Sequence, residues 1–198
     1  LYRSTKRMQE AVDCGERSLA LARELGLQKQ AAFALHDLGA AYFFQGRFEK
    51  SEAAYAEVSE LWRELDNAPM LADRLASLSQ VLTFMGDYEQ ALAAAEQAFE
   101  MAASIDNAYV MANSQGGHLG FIHWEMGRPD KAIPGLEENA RLIDEAGLDA
   151  LVFARAWRGF IYGRLGAVER GLAILHRELQ VAESQFNPNL PVVRGMIA

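Results

Sequence analysis

The sequence is poor in cysteine. Its 198 residues include one, Cys14, which excludes an internal disulfide framework and is compatible with a reducing compartment. A lone cysteine at a helical position is usually a small buried side chain, so we expect Cys14 to be buried and not to act as a nucleophile.

Positive charge and long apolar runs are also scarce. The 19 Lys and Arg residues are outnumbered by 27 Asp and Glu residues, which gives a net charge of −8. A surface that follows nucleic-acid phosphates needs a basic stripe, so we expect no nucleic acid to bind through this region. No run reaches the roughly 18 apolar residues that a membrane span requires, and no apolar core of a secretory signal follows the basic N-terminus. These absences predict a soluble cytoplasmic protein without a membrane segment.

What the sequence does contain is a glycine that returns at a nearly constant interval. Gly46, Gly86, Gly127 and Gly166 are separated by 40, 41 and 39 residues, and an acidic residue follows each of them after three positions. A fixed period of this size is typical of a stacked array of helical repeats.

Apolar residues between these glycines recur at steps of three and four, which predicts two helices in each repeat. The glycine ends the first helix in a left-handed conformation, and the acid lies in the first turn of the second helix, where it complements the dipole. Asn67 and Asn107 are expected to form the left-handed caps after the second helices of the first two repeats. Pro134 should kink or delay the helix that starts at Pro129. The predicted helices cover residues 8–25, 30–44, 48–65, 70–85, 88–105, 109–126, 129–146, 150–165, 168–185 and 192–198.

These repeats divide the chain into a single array over residues 1–198. Both ends cut through a repeat, so we expect the chain to be a piece of a longer array. Truncated arrays leave uncapped helix faces, which makes a homo-oligomer a further expectation. The predicted boundaries are a partial unit at 1–27, units at 28–67, 68–107, 108–148 and 149–187, and a partial unit at 188–198.

A second pattern emerges when the repeats are aligned on the glycine. It consists of a leucine and a small residue, a spaced aromatic, the glycine, another small residue and then an aromatic, best seen in the first repeat. The aligned residues are Leu38, Leu78, Leu119 and Arg158; Gly39, Ser79, Gly120 and Gly159; Tyr42, Leu82, His123 and Tyr162; Ser51, Ala91, Ala132 and Gly171; and Tyr55, Ala95, Leu136 and Leu175. This pattern resembles the tetratricopeptide repeat (TPR). The period is about 40 rather than 34 residues, and Arg158 stands at a leucine position, which predicts weaker packing in the fourth repeat.

The resemblance implies an all-α fold, a right-handed superhelical solenoid of antiparallel helix pairs. Units of this length look like those of bacterial LuxR-type ATP-binding regulators, of Gram-positive peptide-sensing receptors and of kinesin light chain. In this family the first helices line a concave groove, and eight of the twenty groove positions implied here are aromatic. The expected groove residues for a ligand or peptide are Phe33, His36, Phe43, Phe44, Gln80, Phe84, Phe121, Trp124, Phe153, Phe160 and Arg164.

No catalytic or metal motif accompanies these residues. The Gly-rich stretch from Asn113 to Gly120 has neither the preceding strand nor the Lys-Ser/Thr of a phosphate loop, and its glycines should allow close helix approach or soften that helix. His118 and His123 are five residues apart and no HExxH motif occurs, so we expect no metal site and no cofactor.

The sequence therefore favours a non-enzymatic scaffold that binds a protein or peptide segment in the groove, as part of a larger bacterial regulatory protein. The alternative is a small-molecule sensor domain of a LuxR-type transcriptional regulator. Burial of the aromatic residues against neighbouring repeats is the competing structural explanation for the groove pattern.

Overall fold

The computed structural model describes residues 5–148, 151–184 and 190–197, without the side chains of residues 5–8, 115–117, 153 and 190–192. All regular secondary structure in these ranges is helical, which confirms the all-α class. None of the described helices is both long enough and apolar enough to cross a bilayer. The chain forms two compact bodies that divide between Ile105 and Asp106.

The N-terminal body consists of five helices in which each packs on the next one along the chain. Its core contains Leu35, Val58 and Leu75, and the indole of Trp62 is 2% exposed. The helices are α1 (Thr5–Glu24), α2 (Gln28–Phe44), α3 (Phe48–Glu64), α4 (Ala68–Met85) and α5 (Tyr88–Ser104).

The C-terminal body continues with helix pairs, but its first helix is interrupted. Ile122, Leu136, Ile143 and Ile161 are fully buried in it. Its elements are α6 (Ala108–Ala112), a π-helix that we call the π segment (Asn113–Leu119), α7 (Gly120–Glu125), α8 (Pro129–Glu145), α9 (Val152–Arg164), α10 (Val168–Ser184) and α11 (Leu190–Ile197). The described helices within each of the four complete predicted repeats form one antiparallel pair, with the first helix of the third repeat interrupted. The exact repeat boundaries remain a prediction.

The small residues of the repeat pattern lie where two helices of a pair touch. A Cβ atom added to Gly39 would lie 2.9 Å from the Tyr55 ring, and one added to Gly120 would lie 2.8 Å from the Leu136 side chain. Both distances are shorter than van der Waals contact, so a large residue on the second helix occupies the space that the glycine leaves. The close approach predicted from the pattern is confirmed at these positions.

The turns after the second helices differ from the prediction. The residues with left-handed backbone are Asp66 (φ 51°) and Asp106 (φ 53°), not the asparagines that follow them. Asn67 and Asn107 instead begin the next helix, because each side-chain oxygen accepts a hydrogen bond from the backbone N–H three residues on, at 3.2 Å. Asparagine is among the best residues for this N-cap role.

Three single-residue expectations also change. Helix α8 begins at Pro129 and continues through Pro134, so the second proline does not delay it. Cys14 is exposed, because it lies off the α1 face that buries Val12 and Leu19. Arg158 does not leave a poorly packed position, since its guanidinium pairs with Glu137 at 3.1 Å and is largely buried.

Candidate functional site

Four phenylalanine rings form a continuous cluster in the N-terminal body, which we call the aromatic patch: Phe43, Phe44, Phe48 and Phe84. Phe43 is at its centre, with ring centroids 5.2 Å from Phe84, 5.6 Å from Phe44 and 5.7 Å from Phe48. The Phe48 and Phe84 rings stack at 5.8 Å. The first three contacts are edge-on or tilted, an arrangement that aromatic pairs prefer.

Two identical helix ends bring these rings together. After α2, the Gly46 N–H donates to the Phe43 carbonyl and the Arg47 N–H to the Tyr42 carbonyl, both at 2.9 Å. After α4, the backbone around Gly86 makes the same two bonds at 3.1 and 3.0 Å. This is the Schellman motif, in which a left-handed residue reverses the chain. The reversal at Gly46 brings Phe48, in the first turn of α3, back against Phe43 at the end of α2. Phe44 and Phe84 occupy equivalent positions, each two residues before the glycine of its motif.

The outer rings of the patch are open to solvent. Phe44 is 72% exposed and Phe84 is 47% exposed, while Phe43 and Phe48 are half-buried beneath them. Met85 next to Phe84 is also exposed. Scattered apolar residues are normal on a protein surface, but a contiguous exposed cluster of large ones usually marks a binding surface.

The remaining groove residues expected in this body are arranged differently. Phe33 is half-exposed and packs edge-on against buried Trp62, with centroids 5.4 Å apart. His36 is half-buried at 6.1 Å from the Tyr55 ring. Gln80 lies on α4 one helical turn before Phe84 and is half-buried, so it is a polar neighbour of the patch.

In the C-terminal body the expected aromatic anchors form a second, more enclosed cluster. Phe121 is only 8% exposed and lies 4.2 Å from the ring of Trp157, which in turn meets Phe160 at 5.4 Å. The exposed anchor that the groove pattern implies at Phe121 is therefore a buried ring. Trp124 is half-buried and Arg164 is exposed. The side chain of Phe153 lies outside the described residues.

The C-terminal body also contains a polar network that the sequence analysis missed. Arg155 and Glu178 are each 1% exposed and pair at 3.0 Å, and Arg155 also bonds Asp144 at 3.1 Å. Burial raises the pKa of Glu178, although the positive charge of Arg155 and its hydrogen bond act to lower it. None of these three residues is singled out by the sequence pattern, in which the nearby Arg158 predicts weaker packing.

A second part of this network surrounds Glu137. Its carboxylate accepts from Arg158 at 3.1 Å, from Arg170 at 2.9 Å and from the Tyr162 hydroxyl. Burial alone would raise the pKa of Glu137, but these three donors outweigh burial and lower it. These ion pairs connect α8, α9 and α10, which indicates a structural role. Within the described ranges, no three His, Cys, Asp or Glu side chains converge on a possible metal site.

Comparison with known proteins extends the likeness beyond local motifs. A family model described as tetratricopeptide repeat matches residues 1–55 and 30–104, which together are more than half of the chain. Comparison with curated protein sequences gave no significant match.

Solved structures share the fold at low identity. A Rap protein in complex with competence and sporulation factor has a TM-score of 0.78 at 17% identity, covering 90% of this chain and 50% of its own. BtubC from P. vanneervenii has a TM-score of 0.73 at 17% identity, and the match covers 96% of this chain and 81% of BtubC. A putative kinesin light chain from Podosopora anserina has a TM-score of 0.68 at 16% identity, and the match covers 94% of this chain and 92% of the kinesin light chain. The chain thus spans half the length of the Rap protein, and identities this low establish the fold alone. Since the family model matches more than half of the chain, the chain belongs to the tetratricopeptide repeat family.

Proposed function

We propose that this chain is a non-catalytic scaffold that binds an apolar segment of a protein or peptide on the aromatic patch. The observation that carries the proposal is the exposure of Phe44, which is 72% exposed while its ring packs edge-on against Phe43. Full burial of a phenylalanine side chain contributes about 1.5–3 kcal/mol of favourable free energy, most of which an exposed ring does not gain. A partner that covers it recovers this free energy.

The patch suits binding because its outer rings share a packing neighbour before a partner arrives. Phe43 contacts both Phe44 and Phe84, which restricts the conformations that the two outer rings can adopt. Pre-ordering reduces the entropy that binding costs. The four side chains carry no charge, and the half-buried amide of Gln80 lies one helical turn before Phe84 on α4. The complementary segment is therefore one that presents aromatic or branched aliphatic side chains.

The comparisons support binding in general terms. The Rap protein, which shares the fold, was crystallised in complex with competence and sporulation factor. By analogy, the wider proposal places this chain in a larger regulatory protein of the bacterial cytoplasm, with the partner in a concave groove and self-association as a further property. The groove residues expected outside the patch remain part of that wider proposal.

The second candidate is a small-molecule site, favoured by a cleft of about 390 Å³ between α1 and α3. Its floor is Leu35 and Leu38 of α2, and its rim carries Arg23 and Glu57, which pair across it. Ligand pockets have about this volume and this mixture of apolar floor and few polar groups. An Ala53→Trp substitution, which fills the cleft away from the patch, separates the two candidates.

The test is a selection of peptides from a random phage-displayed library on the wild-type protein. Enriched peptides are then titrated into wild type, Phe44→Ser and the matched control Leu165→Ser, which changes an exposed apolar residue of the other body. We expect aromatic or aliphatic consensus positions, at least a tenfold loss of affinity in Phe44→Ser, and less than a twofold change in both Leu165→Ser and Ala53→Trp. Equal affinity for wild type and Phe44→Ser would refute the patch as the site, and loss of affinity confined to Ala53→Trp would favour the cleft.

A further inference from the structure

The first helix of the third repeat differs from its counterparts in the N-terminal body. Helices α2 and α4 are α-helical throughout, whereas the corresponding stretch from Ala108 to Glu125 contains the π segment. A π-helix closes hydrogen bonds from residue i to i+5 and is rare outside single bulges, which occur frequently at functional sites.

The π segment coincides with one additional residue. Gly46 and Gly86 each lie 19 residues after the N-cap of their helix, Leu27 and Asn67, whereas Gly127 lies 20 residues after Asn107. The wider π turn absorbs this extra residue, because it uses more residues per turn than an α-helix does. The repeat pattern is preserved on the α7 side, where Gly120 occupies the same small-residue position as Gly39.

The extra residue has a consequence for His118. Nine residues before the glycine, the first repeat has exposed Asp37 and the second has half-buried Ser77, but the third has His118, which is 5% exposed. Its Nε2 has no hydrogen-bond partner among the described residues. Burial lowers the pKa of His118 to about 4.

Side-chain hydrogen bonds hold the π segment at its start. Fully buried Asn139 of α8 donates from Nδ2 to the Ala112 carbonyl, the last of α6, and the Ser114 hydroxyl donates to the Val110 carbonyl. Two adjacent glycines, Gly116 and Gly117, follow within the segment. Glycine stabilises a helix about 1 kcal/mol less than alanine does. The segment is therefore anchored at one end and intrinsically weak in its middle.

Among the described residues, no charged group contributes to the lowered pKa of His118. On α8 and α9, which pack against the segment, Glu137 bonds Arg158, and Arg155 bonds Glu178. Desolvation is accordingly the sole cause of the shift at His118, with no carboxylate contributing. A protonated imidazole at this position has to reach water, and the weak glycine-containing turn is where the backbone can yield.

We propose that the π segment is an acid-sensitive conformational switch, in which protonation of His118 opens residues 113–119 while the N-terminal body stays folded. Opening releases the turn that joins α6 to α7 and withdraws the Ala112 carbonyl from Asn139. The switch depends on the inserted residue, since the corresponding residues of the first two repeats, exposed Asp37 and half-buried Ser77, are both more open to solvent than His118. It is independent of the function proposed for the aromatic patch.

The proposal is tested by hydrogen–deuterium exchange of the whole wild-type chain between pH 8 and pH 5, with protection factors corrected for intrinsic exchange. With a histidine pKa of 6.5 when open and about 4 when closed, opening should become about 30-fold more favourable at pH 5. Protection of amides 113–119 should fall by about that factor, while protection of residues 73–79 in α4 should change less than threefold. A fall shared equally by both segments, or none in either, would overturn the proposal.

Two variants check the cause. His118→Gln keeps a polar uncharged side chain and should abolish the pH dependence at 113–119, and retention of the 30-fold fall in this variant contradicts the proposal. Deletion of Gly117 removes the extra residue and should likewise make protection independent of pH. A deletion variant that behaves like wild type contradicts the role of the insertion. The wild-type measurement decides the main question without either variant.

Discussion

The most informative perturbation is Phe44→Ser, because one substitution distinguishes an open binding surface from a packed core. A phenylalanine side chain has roughly 200 Å² of surface, and Phe44 is 72% exposed, so folding hides little of it. At about 25 cal/mol per Å², the lost burial amounts to about 1 kcal/mol. The matched comparison is Tyr55→Ser in the same body, since the Tyr55 ring is buried against Gly39. Removing a buried aromatic ring costs about 3–5 kcal/mol.

The assay is urea unfolding followed by tryptophan fluorescence, in which Trp62 reports on the N-terminal body. We expect the free energy of unfolding to fall by about 1 kcal/mol for Phe44→Ser and by about 3–5 kcal/mol for Tyr55→Ser. If Phe44→Ser costs as much as Tyr55→Ser, the ring is part of the core. The aromatic patch is then not a binding surface, and only the scaffold remains.

Three further predictions concern the packing and the buried charges. Gly39→Ala should destabilise by about 1–3 kcal/mol in the same urea assay, because its Cβ would meet the Tyr55 ring at 2.9 Å; a stabilised variant would contradict the close approach. Arg155→Met should lower the free energy of unfolding by about 3–5 kcal/mol, because it leaves the buried Glu178 carboxylate without its partner. Adding Glu178→Leu should restore most of the lost stability, measured by thermal unfolding. Equal losses in the single and double variants would contradict a stabilising role of the pair. Burial raises the pKa of Tyr55 to about 12 from 10.0, so the unfolded chain ionises first and stability should fall by about 1 kcal/mol on going to pH 11. Tyr55→Phe should lack that component, which is measured as the difference between the two urea midpoints at pH 9 and pH 11.

The positions of the helices could be predicted closely because they depend on local chemistry. The helices expected at 88–105 and 168–185 are observed as Tyr88–Ser104 and Val168–Ser184. A glycine in the left-handed conformation ends each first helix, independently of the tertiary contacts that the helix makes. The assignment failed at Asp66 and Asn67, where two adjacent residues both tolerate a cap and only the start of the next helix decides between them.

The candidate site was predictable in part. Counting back from the glycine identified Phe43, Phe44 and Phe84, which do meet. It missed Phe48, which lies on the second helix and joins the patch only because the Gly46 turn folds back. It also grouped Phe121 with them, although Trp157 from a later helix covers that ring. Such contacts between residues distant in the chain leave no trace in the spacing of one repeat.

The π segment was hidden for a different reason. One extra residue changes the glycine interval from 40 to 41, which is within the variation of the other repeats. The glycines of that stretch indicated a softened helix, but their spacing does not show where an additional residue is absorbed. The burial of His118 follows from that local geometry and could not be expected from the sequence.

The most direct measurement of the central proposal is an NMR titration of protein labelled with ¹³C in its ten phenylalanine rings. A selected apolar peptide is added, and the ring signals are assigned by single Phe→Leu variants. We expect the signals of Phe43, Phe44, Phe48 and Phe84 to shift together with one dissociation constant, while that of buried Phe121 does not move. Shifts confined to Phe121 and Phe160, with the patch unaffected, would contradict it.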